Sequence, residues 1–327
     1  MNPVIILAIL ISFFVTFFSL PYWIKKGKEF GLTGKDVHKV KKTPVAEGGG
    51  LVVLLGITFG VLVYIAFQTF YLSSQENTIE ILALLCVIFI AGGLGIIDDL
   101  LGWKKGLSKT VRIGIMIFAA IPLMVINAGS SSMLGIEFGL LYPLLLIPLG
   151  IVAVTTSFNF MAGYNGLEAI QGILLLAALG VVTYLTGSPY LSVVAACGVA
   201  SLIAFLIFNF VPAKVFPGDA MTYSIGAMIA CIAILGNIEK IAVFFFIPHI
   251  LEVILKVRGK LAKESFGKVQ PDGSINMPYN KIYGLEHLAI LILKKLKPSK
   301  KAYEKEVVLL INAFQLLIIV LGFLILL

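Results

Sequence analysis

Long apolar runs are the feature that most constrains the fold of this chain. Hydrophobic residues make up 59% of the sequence, charged residues make up 13%, and the mean hydropathy is +1.04. Soluble domains are about 45–50% apolar and about 25% charged, and a helix that spans a bilayer needs about 20 mostly apolar residues. We therefore predict an all-α polytopic membrane protein, with a single integral-membrane domain over residues 1–327. The ten predicted spans are residues 3–24, 48–70, 79–97, 111–127, 139–158, 167–186, 190–210, 220–236, 240–256 and 306–327.

The basic residues indicate how these spans are oriented. All but one of the 25 lysines and arginines lie in the odd-numbered connections or at their edges, and the exception is Lys240. Positive charge is retained in the cytosol, so we expect both termini outside. The predicted cytosolic loops are residues 25–47, 98–111, 158–167, 211–219 and 257–305. This topology accounts for the net charge of +8, and we expect no nucleic-acid partner.

The last cytosolic connection is long enough to have structure of its own. Within it, "KVQPDGSINMPY" has a Pro-Asp-Gly turn between two short strand-like runs, which predicts a small hairpin. The following stretch, "YGLEHLAILILKKLKPSKK", is amphipathic and ends in lysines. Such a pattern is typical of a helix that lies on the membrane interface, so we predict a cytosolic hairpin and an interfacial helix before the last span.

Two adjacent acids, Asp98 and Asp99, end the third predicted span. Neighbouring carboxylates repel each other, so one of them tends to keep its proton or both recruit a cation. Carboxylates also oppose the dipole at a helix C-terminus, so we predict a functional pair rather than two solvent-exposed helix ends. Lys109 and Arg112 follow and can supply cations for a phosphate group, although lysines at a cytosolic boundary are also common anchors.

Polar residues interrupt the apolar sequence again at "NFMAGYNGLEAIQG", residues 159–172. Asn159 ends the fifth predicted span and Asn165 precedes the sixth, while Gly163 permits a positive φ or the close approach of a ligand. A plain helix N-cap is the alternative interpretation of Asn165, and also of Asp219, which precedes the eighth span. Glu168 either complements the helix dipole or makes a direct contact, and the sequence leaves this choice open.

The predicted topology brings these polar groups to one side of the membrane. Asp98, Asp99, Asn159 and Asp219 all fall at the cytosolic edge. Carboxylate and amide oxygens suit Mg²⁺, which often bridges to phosphates, so we predict a metal–diphosphate site there. In the first loop, "TPVAEGGG" has glycines that let a flat nucleobase approach the backbone, but the sequence lacks the GK[ST] pattern of a phosphate-binding loop.

Three motifs in this order resemble those of the polyprenyl-phosphate N-acetylhexosamine-1-phosphate transferases, namely "DDLLGW", "NFMAGYNGLEAIQG" and "PAKVFPGDAMTY". "TPVAEGGG" resembles the first cytosolic loop of that superfamily, and "INMPYNKIYG" resembles the hairpin before its last span. The second and third motifs are most similar to the archaeal and eukaryotic dolichyl-phosphate N-acetylglucosamine-1-phosphate transferases. Bacterial branches usually carry an aspartate-bearing form of the asparagine motif. The resemblance covers essentially the whole chain, including ten helices with both termini outside.

The resemblance implies a role for each acidic and amide residue. Asn159 and Asp219 are expected to hold Mg²⁺, for which Mn²⁺ is a substitute. The Asp98–Asp99 pair is expected to act in catalysis, either by deprotonating the lipid phosphate or by positioning the metal. A cation that follows this pair contacts phosphate in the family, and Arg112 and Lys109 are the two candidates.

The resemblance also implies where the nucleotide binds. Asn165 and the backbone around Gly163 are expected to contact the uridine, with help from Asp36, Val37 and Glu47 of the first loop. One departure from the family concerns the diphosphate and the sugar. Relatives grip these groups with an Arg-His-Arg or multi-histidine element, whereas this chain reads "RGKLAKESFGKV".

A lysine is the expected substitute for that missing element. We predict Lys263, with Arg258, Lys260 and Lys268 as alternatives. Lysine does not reproduce the bidentate geometry of arginine, so the identity of the sugar is left open.

The activity implied by the resemblance is transfer of N-acetylglucosamine-1-phosphate from UDP-N-acetylglucosamine to a membrane polyprenyl (dolichyl) phosphate, with release of UMP. Alternatives with the same chemistry are another UDP-N-acetylhexosamine or the muramoyl-pentapeptide precursor. A distant alternative is a secondary transporter, which would bind its substrate near the bilayer midplane. Because the loops are short, we expect the plasma membrane of a prokaryote rather than the endoplasmic reticulum. The sequence does not decide whether the chain forms a homodimer.

Overall fold

The computed structural model describes residues 3–102, 106–133 and 136–327. It confirms the predicted all-α class, and eight of the described helices are long and apolar enough to cross a membrane. A π-helical turn, Tyr142–Leu146, leads into the sixth helix. The helices are α1 (Pro3–Glu29), α2 (Gly50–Phe70), α3 (Thr78–Leu101), α4 (Lys109–Ala119), α5 (Ile121–Val125), α6 (Ile147–Phe160), α7 (Leu167–Leu185), α8 (Pro189–Asn209), α9 (Gly218–Leu235), α10 (Glu239–Phe245), α11 (Ile247–Arg258), α12 (Leu285–Leu296) and α13 (Glu304–Leu326).

Two of the ten predicted spans are wrong as single helices. The segment 111–127 is divided between α4 and α5, and the segment 240–256 is divided between α10 and α11. Pro122 and Pro248 each stand in the first turn of the second helix of a pair. Proline lacks a backbone N–H, and its ring clashes with the carbonyl four residues earlier, so the preceding helix ends.

Short antiparallel hairpins join several helices. Strand β1 (Thr33–Lys35) pairs with β2 (Pro44–Ala46), and β3 (Ser132–Met133) pairs with β4 (Ile136–Glu137). The hairpin that was predicted before the last span is confirmed as β5 (Lys268–Val269) and β6 (Ile275–Asn276), with Gly273 of the Pro-Asp-Gly turn at φ +78°. The amphipathic helix that was predicted to follow this hairpin is α12.

Helix α9 is the buried centre of the bundle. All of its residues from Ala220 to Leu235 are buried, and glycines allow its neighbours to approach its first turn. A methyl group added to Gly95 of α3 would overlap the backbone of Asp219, and one added to Gly50 of α2 would overlap Met221. The ends of α2 and α3 are therefore held directly against the beginning of α9.

The connections that were predicted to share one compartment meet at one end of this bundle. Ala46 of the first loop forms a bridge to Val215, and the Gly166 N–H donates to Asn209 Oδ1 at 2.9 Å. The Gly267 N–H, just before the hairpin β5–β6, donates to the Tyr164 hydroxyl at 3.1 Å. Lys104 and Lys105 of the third connection lie outside the described residues.

Candidate active site

Asp219 and Asn159 meet where α6 ends and α9 begins. The Asn159 amide nitrogen donates to Asp219 Oδ1 and to Thr222 Oγ1, each at 2.8 Å. Asp219 lies inside the first turn of α9, and Pro217 occupies the N-cap position. The alternative interpretation of Asp219 as an N-cap is therefore wrong, and its carboxylate is available to the site.

The N-terminus of α9 is capped instead by Asp99 of the neighbouring helix α3. Its Oδ1 accepts the Asp219 N–H at 2.7 Å, and its Oδ2 accepts the Ala220 N–H at 3.2 Å. A carboxylate at a helix N-terminus binds free N–H groups and complements the helix dipole. Asp99 thus sets the position of the turn that carries Asp219.

Asp98 faces a different set of groups, although it is adjacent in sequence. Its side chain is buried, Oδ1 accepts the Leu107 N–H at 2.7 Å, and Oδ2 lies 2.7 Å from Arg112 Nε. Arg112 also donates to the Tyr223 hydroxyl at 3.4 Å. The structure therefore brings the predicted pair and Arg112 to the same place but divides the two aspartates between different partners. We call Asp98, Asp99, Asn159 and Asp219 the acidic centre.

A cavity of about 520 Å³ opens beside the acidic centre. Its volume is in the range of small-molecule sites. Asn159 and Tyr223 lie on its wall, and four cationic side chains line it, namely Lys109, Arg112, Lys256 and Lys263. One acid, Glu264, is also on the wall. The charge balance of this cavity suits an anionic ligand.

Lys263, predicted as the substitute for the missing basic element, lines this cavity, whereas Arg258, Lys260 and Lys268 do not. Its ammonium group lies 5.0 Å from the centre of the Tyr279 ring. Lys256 was not predicted. It stands at the C-terminal end of α11, 3.4 Å from Glu252 Oε1 and hydrogen-bonded to Ser265. No sequence signal separated it from an ordinary membrane anchor.

The acidic centre fits a hard divalent cation in its donor chemistry. Asn159 lines the cavity and Asp219 is its neighbour, so two oxygen-bearing side chains meet there, and Mg²⁺ prefers oxygen ligands. In this structure the amide nitrogen of Asn159 faces Asp219. Nitrogen and oxygen exchange places when an amide turns over, so with a cation between it and the Asp219 carboxylate, Asn159 would present an oxygen on the same side.

A second group of polar side chains surrounds Asn165. The Asn165 amide nitrogen donates to Asp36 Oδ2 at 2.8 Å, and its backbone N–H donates to Glu304 Oε1 at 3.0 Å. Lys39 pairs with Glu304 and lies 3.7 Å from Asp36 Oδ2, while His38 Nδ1 lies 3.7 Å from Glu304 Oε1. We call these five residues the Asn165 network.

The side chain of Asn165 does not cap α7, since Gly166 occupies the N-cap position without a side-chain hydrogen bond. The capping alternative is therefore wrong. Within the described residues, Asp36, His38 and Glu304 also form a group whose spacing could hold a metal ion. The Lys39 ammonium group already pairs with two of these three side chains, Asp36 and Glu304. His38 and Glu304 were not predicted, because each looks like an isolated polar residue in a basic loop.

The loop between Asn159 and Asn165 is held in place by a hydrogen bond to Glu168. Glu168 is buried, and its Oε1 accepts the Gly163 N–H at 2.6 Å. Gly163 has φ +108°, and a side chain there would overlap the Phe266 ring, which lies against the bare backbone. The open question about Glu168 is thus answered by a contact with the loop of its own motif.

The remaining predicted residues of the first loop face different neighbours. Val37 is half-buried between Asp36 and His38. Glu47 is also half-buried, and it lines a small cavity of about 40 Å³ together with Asp99 and Trp23. Burial raises the pKa of Glu47, and the nearby Asp219 carboxylate raises it further. Glu47 therefore lies beside the acidic centre rather than in the Asn165 network.

The fold and these groups define a membrane-embedded protein with a cavity lined by cationic side chains at one end of its helix bundle. A profile of the Glycosyl transferase family 4 matches residues 81–237, which contain the whole acidic centre. The chain is 34% identical to a UDP-N-acetylglucosamine--dolichyl-phosphate N-acetylglucosaminephosphotransferase of Saccharolobus solfataricus, over 88% of each chain. It belongs to the glycosyl transferase family 4, as its motifs predicted.

The chain is also similar to two further relatives. A protein of the same name from Sulfolobus acidocaldarius is 32% identical over 89% of this chain and 88% of its own length. A phospho-N-acetylmuramoyl-pentapeptide-transferase of Streptococcus pyogenes serotype M6 is 27% identical over 80% and 83%, respectively.

Proposed function

We propose that this protein transfers N-acetylglucosamine-1-phosphate from UDP-N-acetylglucosamine to a polyprenyl (dolichyl) phosphate and releases UMP. The observation that carries the proposal is the cation-lined cavity beside Asn159 and Asp219. It lies in a chain that is similar over 88% of its length to a relative named for this reaction. One substrate is soluble and the other is anchored in the bilayer, so the reaction requires a site at the end of a membrane bundle.

The reaction joins two anions, and the basic side chains of the cavity counter their repulsion. An oxygen of the lipid phosphate attacks the β-phosphorus of the nucleotide sugar. The bond between this phosphorus and the bridging oxygen breaks, and the electron pair leaves with UMP. Arg112 and Lys109 of α4, together with Lys256 of α11 and Lys263 of the loop that follows it, line the cavity and are placed to bind the diphosphate. Fixed cations that meet the developing charge are a large source of rate enhancement.

Asp219 and Asn159 are the proposed Mg²⁺ ligands, with Mn²⁺ as a substitute. Bound there, the ion supplies charge neutralisation for the diphosphate. Asp99 holds the backbone of Asp219, and Asp98 holds the Arg112 guanidinium group. We propose that these two contacts divide the work of the aspartate pair, so that one positions the metal ligand and the other positions the phosphate-binding cation.

The proposed location of the site is the cytosolic face of a prokaryotic plasma membrane. The lysine-rich loops meet at the same end of the bundle as the acidic centre, and positive charge is retained in the cytosol. In this topology both termini face outward, and the helix pairs α4–α5 and α10–α11 complete the ten crossings. Reaction of a cysteine at position 219 with a membrane-impermeant reagent from the cytosolic side alone would support this orientation.

Two other activities remain candidates for the test. The similarity to the muramoyl-pentapeptide transferase favours the same chemistry on a different UDP-sugar as the first alternative. A secondary transporter is the second, but its binding groups would lie near the bilayer midplane. Here the acidic centre lies at the ends of helices, and the Asn165 network lies in the loops beside them and at the start of α13.

Purified protein incubated with polyprenyl phosphate and a panel of UDP-sugars tests the proposal. We expect transfer of labelled sugar phosphate into lipid from UDP-N-acetylglucosamine, with equimolar release of UMP and a requirement for Mg²⁺ or Mn²⁺. Transfer from the muramoyl precursor alone would move the protein to the first alternative. If no lipid-linked product forms from any UDP-sugar, the proposed function is wrong.

A further inference from the structure

The hydrogen bonds of Asn165 carry an inference about how the site distinguishes one nucleobase from another. We infer that Asp36 is a positioning residue that locks the orientation of the Asn165 amide and thereby determines base selectivity. This inference rests on the proposed function, because it takes a UDP-sugar as the substrate. It also changes the expectation that Asp36 itself contacts the uridine.

The chemistry of the Asp36–Asn165 contact allows only one orientation of the amide. An ionised carboxylate can accept hydrogen bonds but cannot donate them. The atom of Asn165 that lies 2.8 Å from Asp36 Oδ2 must therefore be the amide nitrogen. If the amide turned over, two buried acceptors would face each other, and an unsatisfied buried acceptor is costly. Both residues are about 95% buried, so water does not relieve this cost.

Asp36 is itself held in place, because both of its carboxylate oxygens already accept hydrogen bonds from the protein. Its Oδ1 accepts the His38 N–H at 3.0 Å, and its Oδ2 receives the Asn165 amide with the Lys39 ammonium group at 3.7 Å. The backbone of Asn165 is fixed separately by Glu304, which is 139 residues away in sequence. The amide can therefore neither rotate nor shift with its loop.

The locked orientation presents the Asn165 side-chain oxygen to a ligand. In the described part of the chain, no hydrogen-bond donor is paired with this oxygen. Asn165 lies on the same loop as Ala162, which lines the cavity, and Phe266, which also lines it, packs its ring on the Gly163 backbone between them. A base that binds at this end of the cavity would therefore meet the Phe266 ring and the Asn165 acceptor together.

An acceptor at this position separates uracil from cytosine. Uracil carries a donor, N3–H, on its pairing edge, whereas cytosine has an acceptor at N3. The fixed amide oxygen of Asn165 accepts a hydrogen bond from the uracil N3–H, whereas it is repelled by the lone pair on cytosine N3. A site that is built to pair with a substrate donor strongly rejects an analogue that lacks it.

The Asp36→Asn variant tests whether Asp36 fixes the orientation of the Asn165 amide. It replaces one carboxylate oxygen with an amide nitrogen. An amide at position 36 can donate as well as accept, so either orientation of Asn165 becomes allowed. We measure competitive inhibition of transfer by UMP and by CMP. Wild-type protein is expected to bind UMP on the order of 100-fold tighter than CMP. In Asp36→Asn that ratio falls roughly tenfold, mainly through tighter binding of CMP.

Glu304→Gln is the matched control within the same network. It removes the same unit of charge and keeps an acceptor for the Asn165 N–H, but it does not touch the side-chain amide. The affinity for UMP is expected to fall in this variant, and the ratio of UMP to CMP affinity is expected to stay at the wild-type value. If Asp36→Asn is not recovered in folded form, Asp36→Ser replaces it, because a hydroxyl group also permits both orientations.

The outcomes separate this inference from the proposed function. Wild-type protein that transfers no sugar phosphate from UDP-N-acetylglucosamine overturns the proposed function. Wild-type protein that transfers it and prefers UMP, with an unchanged ratio in the Asp36 variants, overturns the inference alone. An equal fall of the ratio in Glu304→Gln would also overturn it, since general disorder of the network would then explain the effect.

Discussion

The acidic centre and the Asn165 network lie at the same end of the bundle, but they are assembled in different ways. The acidic centre is built from the ends of α3, α6 and α9, and bare glycine contacts hold two of these helices together. The Asn165 network joins three loop or helix-end segments that are 129 and 139 residues apart. The first site is thus positioned by helix packing and the second by hydrogen bonds and ion pairs.

This difference predicts different consequences when a residue is replaced. Packed helices keep their place when one polar side chain changes, so a substitution in the acidic centre should remove chemistry and leave the structure intact. In the Asn165 network His38 packs against the Tyr164 and Phe266 rings, but the contacts that join its separate segments are hydrogen bonds and ion pairs. Substitutions there should change affinity and stability together.

The largest effect is expected from Asp219→Asn. This change keeps the shape and the hydrogen-bonding capacity of the side chain but removes the charge that is proposed to bind the metal. We expect transfer to fall on the order of 10³-fold, while the melting temperature in detergent stays close to the wild-type value. Radiolabelled sugar phosphate incorporated into lipid measures the loss.

Asp272→Asn is the control for this experiment. Asp272 is an exposed acid of the hairpin β5–β6, where it pairs with Lys301 at 2.7 Å, far from the acidic centre in sequence. The Asp272→Asn variant should transfer sugar phosphate at the wild-type rate. Near-normal turnover in Asp219→Asn would remove Asp219 from the metal site and would leave the cationic cavity as the main source of catalysis.

A smaller loss is expected from Arg112→Met. The guanidinium group is the link between Asp98 and the cavity, and its removal leaves a buried carboxylate without its ion pair. We expect kcat/KM to fall on the order of 100-fold. Arg112→Lys should restore part of the activity, because it keeps the charge but not the forked donor geometry. Equal kinetics for Met and Lys would show that the charge at this position is not used.

The acidic centre could be predicted from the sequence because each of its residues is costly at the end of an apolar helix. The positive-inside pattern then placed these helix ends together. Lys39, His38 and Glu304 gave no such signal, because polar residues in a basic loop are common and their pairing depends on the fold. The helix breaks at Pro122 and Pro248 had a signal in the sequence, but the apolar character of the flanking residues obscured it.

Removing one charged partner from the Asn165 network should lower the free energy of unfolding. Lys39→Met leaves Glu304 and Asp36 without their cation, and Glu304→Gln leaves Lys39 with one acid fewer. Each change is expected to lower the free energy of unfolding by about 2 kcal/mol. The double variant restores the net charge that these side chains carry in the wild type, so its loss should be smaller than the sum of the two single losses by on the order of 1–3 kcal/mol.

Thermal unfolding of the four proteins in one detergent measures this coupling. Strict additivity would show that the Lys39–Glu304 contact contributes nothing to stability. It would also remove the contrast between a site held by packing and a site held by charge. The same cycle applied to Asp98 and Arg112 provides the comparison within the acidic centre.

The smallest effect is expected from Lys263→Met. Lys263 is an exposed side chain of the cavity wall, whereas Lys256 is largely buried and held by Glu252 and Ser265. Water and salt screen an exposed charge. The KM for the nucleotide sugar should therefore rise only about threefold, and the difference should vanish at high ionic strength.

Two matched variants serve as comparisons for Lys263→Met. Lys260→Met removes an exposed lysine from the same loop but from outside the cavity, and it should leave KM unchanged. Lys256→Met should raise KM more than Lys263→Met does and should retain its effect in high salt, because a buried charge is poorly screened. The reverse order would make Lys263 the main substitute for the missing basic element. It would also mean that the diphosphate binds at the rim of the cavity rather than beside Asn159.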